Sequence, residues 1–265
     1  MRGSNNNIHS LSTNNGQQYA IIVQEISKFY GKIAAVSQAS FLVPTGTIKG
    51  LMGSDGAGKT SLLRMIATMA SPSQGTILVH GLDVVRHRAK VKECIGYMPQ
   101  RFGLYPDLTV MENMTFFMDI YGIATKERRK KIEEYLGFTN LLPFLDRRAR
   151  DLSGGMKQKL GLACVLVNEP EVLILDEPTN GVDPVSRQEF WDMLLEIKEK
   201  GKTIIVSTAY LDEGDKCDSI VLMHHSRILA DAPPEQICSG YKNLEEAMIA
   251  LIERADEEIE KTINR

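Results

Sequence analysis

Gly53-Ser54-Asp55-Gly56-Ala57-Gly58-Lys59-Thr60 is the stretch whose reading decides the fold of this chain. It fits G-x-x-x-x-G-K-[ST], a loop that wraps phosphates. Glycines let the backbone turn tightly and bring several N–H groups within reach of a phosphate chain. Lys59 adds a point charge for the outer phosphates, and the Thr60 hydroxyl can ligate Mg²⁺. The flanks suit the motif. Ile48 to Met52 reads as a short buried strand interrupted by Gly50, and Leu62, Leu63, Ile66 and Met69 then recur at helical spacing. Bound phosphates would therefore sit at a helix N-terminus. A glycine-rich turn can match such a pattern by accident, but nucleotide binding is the expectation.

Upstream, residues 1–18 are rich in Asn, Ser and Gln and poor in apolar residues. No continuous apolar core follows Arg2, so a disordered tail is expected rather than a secretory signal. From Tyr19 to Val43 short β-type runs alternate with polar residues, with Tyr30-Gly31 in a turn between them. A lone aromatic such as Tyr30 is usually core. Ile77-Leu78-Val79, bounded by Gly75 and Gly81, continues the β pattern.

Downstream, Cys94 to Gln100 reads as a buried strand ending at Pro99-Gln100. Thr109 and Glu112 then form a capping box for a helix striped with Val110, Met111, Met114, Phe117, Met118 and Tyr121. A second, charged helix over Lys126 to Leu136 turns Ile132 and Leu136 inward, and its KERRKK run reads as a solvated face. Two helices between β-rich blocks suggest an inserted helical subdomain. In Leu152-Ser153-Gly154-Gly155-Met156, Ser153 takes the N-cap position and the glycines leave N–H groups uncovered, a second potential anion site.

Val172-Leu173-Ile174-Leu175-Asp176-Glu177 places two carboxylates after four apolar residues. A buried parallel strand looks like this, its acids emerging at the C-terminal end where ligands bind. An ordinary strand ending in surface acids would look the same, but a phosphate loop elsewhere in the chain favours function. Asp176 would hold Mg²⁺ through water and Glu177 could orient an attacking water. Asp183-Pro184 starts a helix with Phe190, Trp191, Leu194 and Ile197 inward, and Thr203–Thr208 and Ser219–Met223 read as further strands. Repeated strand–helix alternation makes this a parallel-sheet α/β protein. Leu244, Met248, Leu251, Ile252, Ala255, Ile259 and Ile263 form an amphipathic C-terminal helix, expected to dock on the domain's own surface.

At 265 residues the chain can bury a full core, and its net charge of −3 gives no electrostatic case for nucleic acid. Cys94, Cys164, Cys217 and Cys238 show no C-x-x-C pair and read as buried thiols of a reducing cytosol. No apolar stretch approaches the roughly eighteen residues that span a bilayer.

Phosphate loop, glutamine-ended strand, L-S-G-G and apolar-Asp-Glu strand, in this order, resemble the nucleotide-binding subunit of ATP-binding cassette (ABC) transporters over about residues 19–250. LSGGMKQKLGLA and LILDEPTNGVDP look most like the branch that exports drugs, lipids or polysaccharides. The resemblance implies a P-loop NTPase fold: a parallel-sheet core, an N-terminal antiparallel β subdomain, and a helical subdomain inserted at about 101–157. The cassette would cover 19–240, with 241–265 as the terminal helix. It implies that Gly53 to Thr60 and the adjoining Ser61 cradle ATP phosphates and that Tyr30 stacks on adenine. Gln100 would meet Mg²⁺ and the attacking water, joined by Thr60 and Asp176 at the metal, with Lys59 and Glu177 serving catalysis. Ser153, Gly154 and Gly155 would contact nucleotide held by a second cassette in a head-to-tail dimer. A membrane permease would dock after Gln100, placing the chain on the cytoplasmic face of the membrane.

Two positions depart from the family pattern. Where the family usually carries a γ-phosphate-sensing histidine after the strand TIIVST, this chain has Ala209, which cannot donate a hydrogen bond. His224 and His225 lie beyond the next strand, too far along to substitute. Asp55 stands where Asn is more usual. Two functions are therefore open, a transport ATPase with a weakened site or a nucleotide-gated partner that hydrolyses little. A chromosome-maintenance ATPase is disfavoured, since only about ninety residues separate Lys59 from Ser153.

Overall fold

The computed structural model describes residues 13–14 and 17–263. Two sheets and a helical unit share the chain. The first sheet is antiparallel. β1 (Thr13–Asn14) pairs with β2 (Gln17–Tyr30), and β2 lies between β3 (Ile33–Pro44) and β5 (Gln74–Val79). Gly31, at φ 60°, closes the β2–β3 hairpin. Between these strands run β4 (Ile48–Met52) and α1 (Lys59–Ile66), and β6 (Leu82–Asp83) completes the sheet beside β5.

The second sheet supplies the platform for the site. After α2 (Arg88–Cys94) comes β7 (Ile95–Met98); then α3 (Val110–Ile120), α4 (Thr125–Phe138) and α5 (Gly154–Leu166) precede β8 (Val172–Asp176). α6 (Pro184–Glu199), β9 (Thr203–Thr208), β10 (Ser219–His224), β11 (Arg227–Ala232), α7 (Pro234–Ile237) and α8 (Leu244–Ile263) follow. The strand order is β11-β10-β4-β9-β8-β7, parallel throughout except for the antiparallel edge strand β11. β8 and β9 are buried along their whole length, as strands covered on both faces must be.

Strand alternation divides the core. Leu51, Ile174, Ile205 and Val221 face α1 and the antiparallel sheet, while Met52, Leu175, Val206 and Leu222 face Phe190, Trp191, Leu194 and Ile197 of α6. Burying a large apolar side chain contributes about 1.5–3 kcal/mol, so α6 alone anchors that face strongly. Leu244, Ala247 and Met248 of α8 join the same cluster, so the C-terminal helix docks on its own domain.

A third cluster joins Val110, Met114 and Met118 of α3 to Leu136 of α4 and Leu160, Ala163 and Cys164 of α5. α5 is apolar on both sides, since Leu162, Val165 and Leu166 pack toward α6. The expected capping box is present: Thr109 N–H donates to Glu112 Oε2 at 2.8 Å, and Glu112 N–H to Thr109 Oγ1 at 3.1 Å. Thr109→Ala is expected to lower unfolding free energy by about 1 kcal/mol. An unchanged denaturant midpoint would mean that Glu112 alone holds this helix start.

Several expectations need correction. The disordered tail over 1–18 falls mostly outside the described residues, but 13–14 and 17–18 are strand. Met69 does not lie on the α1 stripe: the helix ends at Ile66, Thr68 turns left-handed at φ 61°, and Met69 is exposed. Cys94 closes α2 rather than opening a strand. That helix has one buried residue, Val91, and hence no stripe to read. All four cysteines are free, but only Cys164 and Cys217 are buried, their thiols held upward in pKa by desolvation, Cys217 to about 12. No described helix is long and apolar enough to cross a membrane.

Candidate nucleotide site

The phosphate loop leaves the C-terminal end of β4 and enters α1. Two of its glycines are required by close approach. A Cβ on Gly58, at φ 108°, would stand 2.2 Å from the Ala35 carbonyl oxygen, and one on Gly53 would stand 2.0 Å from that of Met223. The loop is thus clamped between β3 and β10. It borders a cavity of about 300 Å³ lined by Asp55, Gly56, Ala57, Gly58, Lys59, Thr60 and Ser61, with Ala35, Gln100 and Glu177 opposite.

Lys59 is buried, and its ammonium donates to the carbonyl oxygens of Gly53 (2.7 Å) and Ser54 (3.1 Å). Glu177 Oε1 lies 3.4 Å away. The loop therefore holds its own cation where an anion can take over the contacts.

β8 delivers the two carboxylates, and they separate by partner. Asp176 Oδ1 accepts from Thr60 Oγ1 at 3.0 Å and from Ser207 Oγ at 2.8 Å. The Tyr97 hydroxyl stands 3.5 Å from Oδ2, its pKa raised by burial and then by the Asp176 charge. Glu177 turns away from the strand at φ 49°, a left-handed conformation that costs about 1–3 kcal/mol for a residue with a side chain. Its N–H donates to the Ser207 hydroxyl (3.0 Å), while Oε2 accepts from Gln100 Nε2 (2.8 Å) and Asn180 Nδ2 (3.1 Å).

The structure thus brings Lys59, Thr60, Gln100, Asp176 and Glu177 together. Gln100 is bonded to Glu177, whereas Thr60 is bonded to Asp176. A hydroxyl, a carboxylate and a carboxamide oxygen are the hard donors Mg²⁺ takes, so this set fits that ion. Tyr30 ends β2, half exposed with Lys28 Nζ 5.0 Å above its ring, and is not among the cavity's lining residues. Ser153 caps α5 by accepting from Met156 N–H at 3.2 Å, and Ser153 and Gly154 are exposed. With Gly155 they too lie outside this cavity.

Ser207 and Asn180 were not foreseen. Ser207 is fully buried, its hydroxyl donating to the Asp176 carboxylate and accepting from the Glu177 backbone N–H. The only sequence signal was a serine after the apolar run Ile204-Ile205-Val206, and only the parallel register Asp176↔Ser207 gives it meaning. Asn113 was missed likewise. Buried in α3, it accepts from Tyr105 N–H (2.8 Å) and donates to the carbonyls of Tyr105, Leu108 and Thr109, organising the segment beyond Gln100. Ala209 follows Thr208, the register partner of Met52, so it leaves the sheet beside the start of the loop, exposed and without a polar side-chain atom.

A phosphate loop on a parallel sheet, with paired carboxylates at its C-terminal edge, defines a nucleotide-hydrolysing cassette. The chain belongs to the ABC transporter family, whose model matches residues 36–180. It is 46% identical over 203 residues to the "Probable multidrug ABC transporter ATP-binding protein YbhF" of Escherichia coli, covering 77% of this chain. The match spans only 35% of that relative's length. It is 37% identical to the Nod factor export ATP-binding protein I of Rhizobium etli, across 82% of this chain and 69% of that protein. An ATP-binding cassette solved as a dimer in a post-hydrolysis state with ADP and Pi superposes with a TM-score of 0.73 at 25% identity, covering 80% of this chain and 98% of that one. This chain is thus an ATP-binding domain with an ATPase fold.

Proposed function

We propose that this chain hydrolyses ATP to drive a separate membrane permease, as an exporter subunit bound to the cytoplasmic face of the membrane. The observation that carries the reading is the division of labour at the end of β8. Asp176 is paired with Thr60, and Glu177 with Lys59 and Gln100, around one cavity. Names of the relatives that speak of multidrug and Nod factor export support the exporter branch. Thr60, Asp176 and Gln100 would hold Mg²⁺, which supplies charge neutralisation for the phosphates. Lys59 would exchange its carbonyl partners for phosphate oxygens. Glu177, released from Lys59, would orient water and take up its proton, with Gln100 and Asn180 fixing the carboxylate.

The sites are proposed to complete each other in a head-to-tail dimer of cassettes, where Ser153, Gly154 and Gly155 reach the partner's nucleotide and Tyr30 stacks on adenine. Exposure of Ser153 and Gly154 at a helix start supports this. The helical segment at about 101–157 would meet the permease through the stretch after Gln100, where Tyr105 is exposed. No nucleic acid is expected as a partner. A second reading, a nucleotide-gated partner with little hydrolysis of its own, is favoured by Ala209. Measured turnover of the chain alone and with its permease separates the two.

Binding is tested apart from turnover. Charge-assisted contacts contribute about 1.5–3 kcal/mol, so Lys59→Ala should weaken Mg-ATP binding by roughly tenfold or more. Unchanged affinity in a direct titration would show that this loop is not the phosphate site.

A further inference from the structure

The C-terminal helix meets the β10–β11 turn through two histidines that share one carboxylate. Asp256 Oδ1 of α8 lies 2.7 Å from His224 Nε2 and 3.2 Å from His225 Nε2. Consecutive strand residues send their side chains to opposite faces. Here both rings reach one oxygen because His225 and Ser226 take left-handed φ values of 43° and 67°. The ring centroids stand 4.1 Å apart, and the three donor atoms lie within 4.8 Å of one another.

Two imidazoles and a carboxylate form a donor set for borderline first-row ions, whereas Mg²⁺ and Ca²⁺ prefer oxygen alone. We propose that His224, His225 and Asp256 bind one divalent transition ion of the Zn²⁺ class, clasping α8 to the turn behind the phosphate loop. His224 is the buried anchor. The His225 side chain, 62% exposed, and that of Asp256, 47% exposed, leave an entry path and room for a water as fourth ligand. Ligands roughly 2.0–2.2 Å from a tetrahedral ion stand about 3.4 Å apart, so Asp256 Oδ1 must draw back from His224 Nε2, now 2.7 Å away, by on the order of 0.7 Å, a movement its half-exposed side chain can make.

The location gives the ion a mechanical consequence. Ser226 Oγ donates to the Ala34 carbonyl at 2.5 Å, and Ser37 N–H donates to the Ser226 carbonyl at 2.7 Å. The neighbouring Ala35 carbonyl is the one that abuts Gly58. An occupied site therefore ties the terminal helix to a wall of the nucleotide cavity.

The test is titration of the full chain with Zn²⁺ alone, followed by Co²⁺ as an optical probe. One Zn²⁺ per chain, a raised Tm, and intense visible Co²⁺ bands of a four-coordinate site are expected. Loss of one ligand should cost at least the roughly 10–100-fold seen for supporting residues, so H225A and D256N should each weaken Zn²⁺ binding by that much. Both replaced positions are exposed, and circular dichroism would establish that the variants fold. Zn²⁺ binding of equal strength in both variants would overturn the proposal. So would an absence of Zn²⁺ binding in the parent chain, which would leave these residues as a hydrogen-bonded latch only.

Discussion

Glu177→Gln is expected to slow ATP hydrolysis by about 10²–10⁴-fold, the usual worth of a positioned general base, while nucleotide affinity stays within a few-fold. The geometry explains the separation. Glutamine is nearly isosteric, so its amide oxygen can still accept from Gln100 and Asn180, as Glu177 Oε2 does. Its amide nitrogen then faces Lys59 where Oε1 now lies 3.4 Å away. The ion pair is lost, but Lys59 keeps its contacts to Gly53 and Ser54 and remains available to phosphate. Binding is read by titration with Mg-ATP and turnover by phosphate release. Turnover that survives the substitution would place the base elsewhere. Loss of affinity as large as that of Lys59→Ala would make Glu177 part of the binding site rather than of the chemistry.

Ala209→His is expected to raise turnover, the opposite sign to most substitutions at an active site. Losing one preorganised donor to developing charge typically costs ~10²–10³ in rate, which sets the upper bound of the gain. The structure argues for less than that bound. Glu177 is already held by Gln100 and Asn180, so a histidine would add a contact to phosphate more than it would reorient the carboxylate. A rise of roughly tenfold is the expectation. Ala209 is exposed, so the larger ring meets no packed core. The assay uses the isolated chain at a concentration that permits dimers. Two identical cassettes would carry the defect twice, whereas a complete partner cassette would use this chain's intact L-S-G-G and perform most of the turnover. Brisk hydrolysis by the unmodified chain, with no gain from histidine, would show that another group does this work.

Much of this was legible because local chemistry is local in sequence. The phosphate loop needs its glycines and lysine within eight consecutive residues, so Lys59 and Thr60 could be placed without a fold. Capping at Thr109, Ser153 and Asp183 was likewise readable, since a cap and its target amide are three residues apart. Asp176 and Glu177 showed as acids ending an apolar run.

Tertiary structure decided what depends on register between distant segments. Ser207 joins Asp176 to Glu177 only because β8 and β9 pair with Asp176 opposite Ser207. Asn180 reaches Glu177 because the chain reverses into a left-handed turn immediately after the strand. The clasp of His224 and His225 on Asp256 spans 32 residues between the first histidine and the aspartate. One-dimensional periodicity records which face a residue occupies in its own element. It does not record which neighbour lies across a sheet or beneath a docked helix, because that is fixed by packing of whole faces.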